Sequence, residues 1–159
     1  KLLVGNVTIT TANGGDQSST SFTVLGTDML GNVQTEVITL PGSATTTAGA
    51  KYFRTVTAAS ASAQPAANVS IGMSGAAGDV IFAGRSRLKG VFTVNSATAG
   101  VVNFTNTSPA GTALMKLGTV ASATVSRDVT VPDEGVVFSD GVYIQYTVST
   151  FTNMTAFHA

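Results

Sequence analysis

The sequence predicts an all-β protein built as two β-sandwich or jelly-roll-like modules in tandem, with little or no helix. Three observations carry this. Apolar and polar residues alternate with period two in several short runs, the pattern of strands with one buried face. Those runs are separated by turns containing Gly, Asn, Asp or Pro, at the close spacing typical of sandwiches. The one stretch with any helical periodicity, Thr98 to Thr105, is rich in β-branched residues and too short to hold a helix.

Taken in order, Leu2 to Thr10 reads as a first strand, with Val7 and Ile9 alternating against Asn6 and Thr8. Thr11 to Thr20 is a loop with Asn13-Gly14-Gly15-Asp16 as its turn core. Ser21 to Leu40 is the stretch around which the first module is organised. Phe22 and Val24 alternate in its first half; Val33, Thr35, Val37 and Thr39 share one parity in its second half, and Gln34, Glu36 and Ile38 the other. Between them Asp28-Met29-Leu30-Gly31-Asn32 offers Gly and Asn, which take positive φ cheaply, so the simplest form is a hairpin. Two strands of different sheets joined by an arch would use the same residues. Pro41-Gly42 ends this stretch, Ser43 to Gly49 is a loop of small residues, and Lys51 to Ala58 reads as one strand. Ser60 to Ala67, with Pro65, bends or crosses over, and Asn68 to Met73 is a strand with Val69, Ile71 and Met73 in register.

Ser74 to Asp79 is the best candidate linker, and Val80 to Ala83 closes the first module or opens the second. The module boundary is therefore expected after residue 83, giving 1–83 and 84–159. The second series contains strands over Leu88 to Val94, Val101 to Thr105, Thr112 to Leu117 and Ala123 to Val131. A tight turn follows at Pro132-Asp133-Glu134-Gly135. Val136 to Phe138 and Val142 to Val148 then form a hairpin about Ser139-Asp140-Gly141. Phe151 to Phe157 is the last strand, at an edge. The halves share no residue-level repeat, so they are different modules.

Composition bounds the function. Charged residues make up 10% of the 159, against about 25% in ordinary globular domains. Hydrophobic residues reach 43%, and mean hydropathy is +0.32. A surface so poor in charge makes sense when neighbours cover much of it. Lys plus Arg and Asp plus Glu are both 8, which leaves no basic field for a nucleic-acid backbone. Cys is absent, which removes disulfides and thiolate metal sites. Lys1-Leu2-Leu3-Val4 is too short for the apolar part of a signal peptide. No apolar run approaches the roughly 20 residues of a membrane helix. Neither nucleic acid nor a membrane is expected as a partner.

Residues that could carry chemistry are few. His158 is the single histidine; a metal site would need further nitrogen or sulfur ligands, and a residue so near the end of the sequence is expected to be poorly ordered. Asp133, Glu134 and Asp140 could gather oxygen ligands for Ca²⁺, but their spacing is not that of an EF-hand and turn chemistry accounts for each. Asp28 with Glu36 could suggest a glycosidase carboxylate pair, yet Trp is absent and aromatics total 7%, so no sugar-stacking cleft is foreseen. The sequons at Asn6, Asn68, Asn103, Asn106 and Asn153 arise easily in so Ser- and Thr-rich a chain. Arg85, Arg87 and Lys89 alternate with Ser86 and Leu88. They read as a solvated strand edge that discourages wrong pairing, or as a docking patch for an acidic neighbour.

The stretch FTVLGTDMLGNVQTEVITLPG, with KYFRTVTAASASAQPAANVSIGM after it, resembles a module of predicted virion proteins of tailed bacteriophages. Thr27, Asp28, Gly31, Asn32, Gln34, Thr35, Glu36, Lys51, Tyr52, Phe53, Thr55, Val56 and Gly72 carry the resemblance; Arg54 and Ala58-Ala59 depart from it. It covers roughly residues 5–83. A shorter likeness, VPDEGVVFSDGVYIQYT with NMTAFH, resembles the close of small virion proteins. The resemblance implies a structural protein with no catalytic residue, cofactor or small-molecule substrate.

The function expected from all this is a capsid decoration (cement) protein on the outer capsid surface of a virion. Its partners would be the major capsid protein and its own copies, most simply as a homotrimer at threefold sites. Arg85, Arg87 and Lys89 are the expected docking residues, and Val91, Val101 or Val102, Phe104, Val142, Ile144 and Phe151 are expected to supply apolar contacts inside or between second modules. A phage tail or fibre component, host-binding modules included, is the alternative within virions; a secreted bacterial adhesin fragment is the alternative outside them.

Overall fold

A computed structural model describes residues 4–11, 18–40, 46–121 and 124–159. The expected turn at Asn13 to Asp16 and the stop at Pro41-Gly42 lie outside the described residues. The protein is all-β. Its one helical element among them is a three-residue 3₁₀ turn, Val148–Thr150. The chain divides into two compact units, residues 1–75 and 76–159.

In the first unit, β1 (Gly5–Thr11) pairs antiparallel with β4 (Thr46–Phe53) and has β6 (Val69–Ala83) as its other neighbour. A separate sheet contains β2 (Ser21–Thr27) between β3 (Val33–Thr39) and β5 (Thr55–Ala61). Alternation decides what is inside. Val7 and Ile9 from β1, Phe22 and Val24 from β2, Ile38 from β3 and Phe53 from β4 form one apolar cluster, joined by Leu40. The expected hairpin is present: β2 and β3 pair in continuous register from Ser21↔Thr39 to Thr27↔Val33.

The expected single strand from Lys51 to Ala58 is instead two strands in two sheets. Arg54 is a bend between β4 and β5; its N–H donates to Thr27 O at 2.8 Å and turns the chain from the β1 sheet to the β2 sheet. The loop foreseen over Ser43 to Gly49 is already strand from Thr46 onward.

The second unit is built round β7 (Ser86–Asn95). One edge of β7 takes β10 (Ser126–Thr130) and then β11 (Val136–Phe138); the other takes β13 (Phe151–His158). A further sheet orders the later part of β6, β12 (Gly141–Thr147), β8 (Gly100–Thr105) and β9 (Ala113–Thr119). Burial in β7 changes parity midway: Ser86, Leu88 and Gly90 are buried, then Val91, Thr93 and Asn95.

Several sequence readings are corrected here. Val136 to Phe138 and Val142 to Thr147 do not form the expected hairpin about Ser139-Asp140-Gly141: β11 pairs with β7, and β12 pairs with β6 and β8 in another sheet. Ser74 to Asp79 is not a linker but part of the 15-residue β6, with Ala76 to Ala83 paired against Thr147 to Gly141 of β12 across one register shift between Val142 and Tyr143. Small Gly and Ala side chains carry no periodic signal, so only the partner strand reveals the ladder. The division into units accordingly falls inside β6, and residues 76–83, expected in the first module, belong to the second unit. His158 is not a loose end; it lies in β13, pairs with Leu88 and stacks on Phe82 with ring centroids 4.9 Å apart.

Candidate interaction surface

The turn of the β2–β3 hairpin is held by one carboxylate. Asp28 Oδ1 accepts from the backbone N–H of Leu30 (2.9 Å) and Asn32 (2.8 Å), and Oδ2 accepts from Asn32 Nδ2 (3.0 Å). Gly31 between them has φ 91°, which glycine adopts without strain. Burial pulls the Asp28 pKa up, but the bonds from the Asn32 side chain and from the Asn32, Leu30 and Gly31 backbone pull it further down, below the ordinary carboxylate value. Arg54 ties this turn to the bend after β4, its guanidinium donating to Met29 O at 3.2 Å.

The inward parity of β3 reaches across to β4. Glu36 Oε1 accepts from the N–H groups of Ala50 (2.6 Å) and Lys51 (3.1 Å), and Gln34 Nε2 donates to Tyr52 O. Lys51 Nζ returns a bond to Thr35 O at 2.7 Å. The approach is close enough that a Cβ on Gly49 would collide with the Glu36 carboxylate. These contacts give the residues of the first resemblance a physical role. Asp28, Gly31, Asn32, Gln34, Glu36 and Lys51 staple a hairpin to the neighbouring sheet. Asp28 and Glu36 serve two different staples.

With the inward parity so engaged, the outward parity of the β3-β2-β5 sheet is left to solvent. The register places Val37, Thr23 and Ser60 in one row, Thr35, Leu25 and Ala58 in the next, and Val33, Thr27 and Thr55 in the third. None of these nine side chains is charged. Val33 is 78% exposed and Val37 62%, high values for β-branched apolar residues. The Thr27 and Thr55 hydroxyls bond each other at 2.7 Å, which keeps that row ordered. This face is a neutral, partly apolar surface suited to contact with another protein. The sequence reading missed it. Val33, Thr35 and Val37 were visible as one parity, but the neutral partner residues on β5 come into line only through register.

Of the contact residues expected in the second unit, the apolar ones lie inside it. Arg85 is exposed in the bend before β7. Arg87 donates to Glu134 O at 3.1 Å and lies 3.4 Å from the Glu134 carboxylate, while Lys89 Nζ donates to Asp133 O at 3.3 Å. The acidic neighbour of these cations is thus the chain's own turn after β10. Val91, Phe104, Val142 and Ile144 are buried in the core of their own unit, so they hold that unit together rather than face other copies. Phe151 is half-buried against the same core, edge-on to Tyr146 at 6.1 Å.

Asp140 sits apart from Asp133 and Glu134. Its carboxylate accepts from Ser139 Oγ and from Asn106 Nδ2, and these bonds hold its pKa below the ordinary value. No three His, Cys, Asp or Glu residues lie together as a metal cluster among the described residues. None of their helices is long and apolar enough to cross a membrane. No protein-family model, no curated protein and no solved structure matches the chain.

Proposed function

We propose that this chain is a structural virion protein of a tailed bacteriophage, acting as a decoration protein on the outer capsid shell in two sandwich-like modules. The observation that carries the reading is the neutral outward face of the β3-β2-β5 sheet, presented on the hairpin whose sequence resembles virion modules. Such a face binds by excluding water over a broad area, with Val33, Val37 and Leu25 as apolar contacts and hydroxyls around them. The major capsid protein is the partner that this role requires. Repetition over a closed shell would let each contact be weak while the layer as a whole holds. Self-association belongs to the same reading, with three copies round a threefold site as the simplest closed set.

The test is copy number and location. Purified particles carrying the chain should contain it in hundreds of copies, placed by electron cryo-microscopy on the shell; a handful of copies at a tail would sink the decoration role. Val33→Glu with Val37→Glu should abolish binding to undecorated shells while leaving the far-ultraviolet circular dichroism unchanged.

A further inference from the structure

The exposed edges of this protein are not treated alike. On β4, the N–H groups of Ala50 and Lys51 are occupied by the Glu36 carboxylate. β9 carries Lys116, β10 carries Arg127 and Asp128, and β13 has two register breaks against β7. Charges and irregularities of this kind discourage the addition of foreign strands. β5 has none of these charges. It is one of two terminal strands of its sheet, the other being β3, which carries Glu36, and nothing pairs with the far edge of β5 among the described residues. No charged residue occurs from Thr55 to Gly78.

The phase of the β5 ladder shows what its open edge offers. Ser62 N donates to Ser21 O at 2.8 Å, and the register is unbroken from Phe22↔Ala61 to Leu25↔Ala58. Hydrogen-bonded and non-hydrogen-bonded pairs alternate in an antiparallel ladder. Ala58 and Ser60 therefore turn their peptide groups toward β2, and Ala59 and Ala61 turn theirs away. The register break between Leu25 and Gly26 limits the regular run to Ala58 and beyond.

We infer that the Ala58–Ser62 edge pairs antiparallel with the same edge of a second copy of this chain, joining two β3-β2-β5 sheets into one. A neutral edge gains nothing from a charged strand, whereas its own copy brings no like-charge repulsion and side chains no larger than Ser at this run. The pairing also gives the peptide groups of Ala59 and Ala61 protein partners in place of water. A self-paired edge is a twofold contact; a threefold set would use other surfaces.

The chain has no Cys, so introduced thiols report cleanly. The double variant Ala58→Cys with Ser60→Cys should form a covalent dimer under mild oxidation. Thr35→Cys with Val37→Cys, equally spaced and exposed on β3, should not. In sedimentation velocity at micromolar concentration the unmodified chain should run as a dimer. Ser60→Lys, whose side chain lies outside the core, should weaken that dimer about tenfold or more; Ser60→Glu is the second variant, and circular dichroism confirms that each is folded. A monomeric unmodified chain, a dimer indifferent to both charges, or equal cross-linking of the β3 control overturns the inference. The contact belongs to the isolated chain. Absence from capsid shells would sink the decoration role and leave it standing, while loss of the dimer would do the reverse.

Discussion

The two units reach stability by different means. Among the described residues the first has a buried cluster of seven, and its two sheets are also joined by side-chain bonds to backbone, from Glu36, Gln34, Lys51 and Arg54. The second has a cluster of ten, with Leu88, Val91, Val102, Phe104, Phe138 and Val142 all fully buried, and a central strand bonded along both edges. The difference teaches where each is vulnerable. A small core gains little from further burial, so polar staples decide its geometry. A larger core is limited by how well it packs.

The strongest way to break the contrast is Phe104→Ala. Removing a fully buried ring leaves a cavity, so the second unit should lose about 3–5 kcal/mol. Hydrogen exchange should show faster amides across β7, β8 and β12, with β2 and β3 little changed; uniform acceleration through both units would contradict their separateness. Next is Gly26→Ala in the first unit. The added Cβ would strike the Thr55 carbonyl and the Phe53 ring, forcing β5 off β2 at a cost of about 1–3 kcal/mol. Denaturant midpoints check this, and a midpoint equal to that of the parent chain would mean the strands separate freely.

Glu36→Ala sharpens the comparison by removing a staple and no core volume. Two N–H groups of β4 lose a charged acceptor, and the first unit should weaken by about 1–2 kcal/mol. Its freed β4 edge should also raise aggregation, read by light scattering. Acid is the gentlest probe. The pKa of Asp28 is lowered in the fold, so its contribution is full above the unfolded carboxylate value and is lost as pH falls through the folded one. Asp28→Ala should flatten that acid limb for β2 and β3 amides. An unchanged limb would place the acid sensitivity elsewhere.

Much of the fold could be read from the sequence because period-two alternation survives wherever one face is buried. Val7 with Ile9 and Phe22 with Val24 both show it, whereas the Asp-Gly turn expected to close a hairpin instead carries the chain from β11 on β7 to β12 in another sheet. The failures have physical causes. Tyr52, Arg54 and Val56 keep one parity straight through the bend at Arg54, so nothing in the pattern marks the change of sheet. The Gly/Ala run inside β6 has no contrast to alternate. The candidate surface was half legible: the outward parity of β3 stood out, but burial of Val91, Phe104, Val142 and Ile144 could not be told from exposure, since strand patterns do not say which apolar face finds a partner.

The central place of β7 bears on how the chain is made. Each strand that closes its edges is translated after it, β10 and β11 first and β13 last. Until then β7 emerges with an apolar face and both edges open, a form that invites association with other nascent chains. Pairing with β13 brings together residues far apart in sequence, which slows folding. The second unit should therefore be the one that depends on chaperone protection during synthesis, while the local β2–β3 hairpin can form as soon as its turn has left the ribosome.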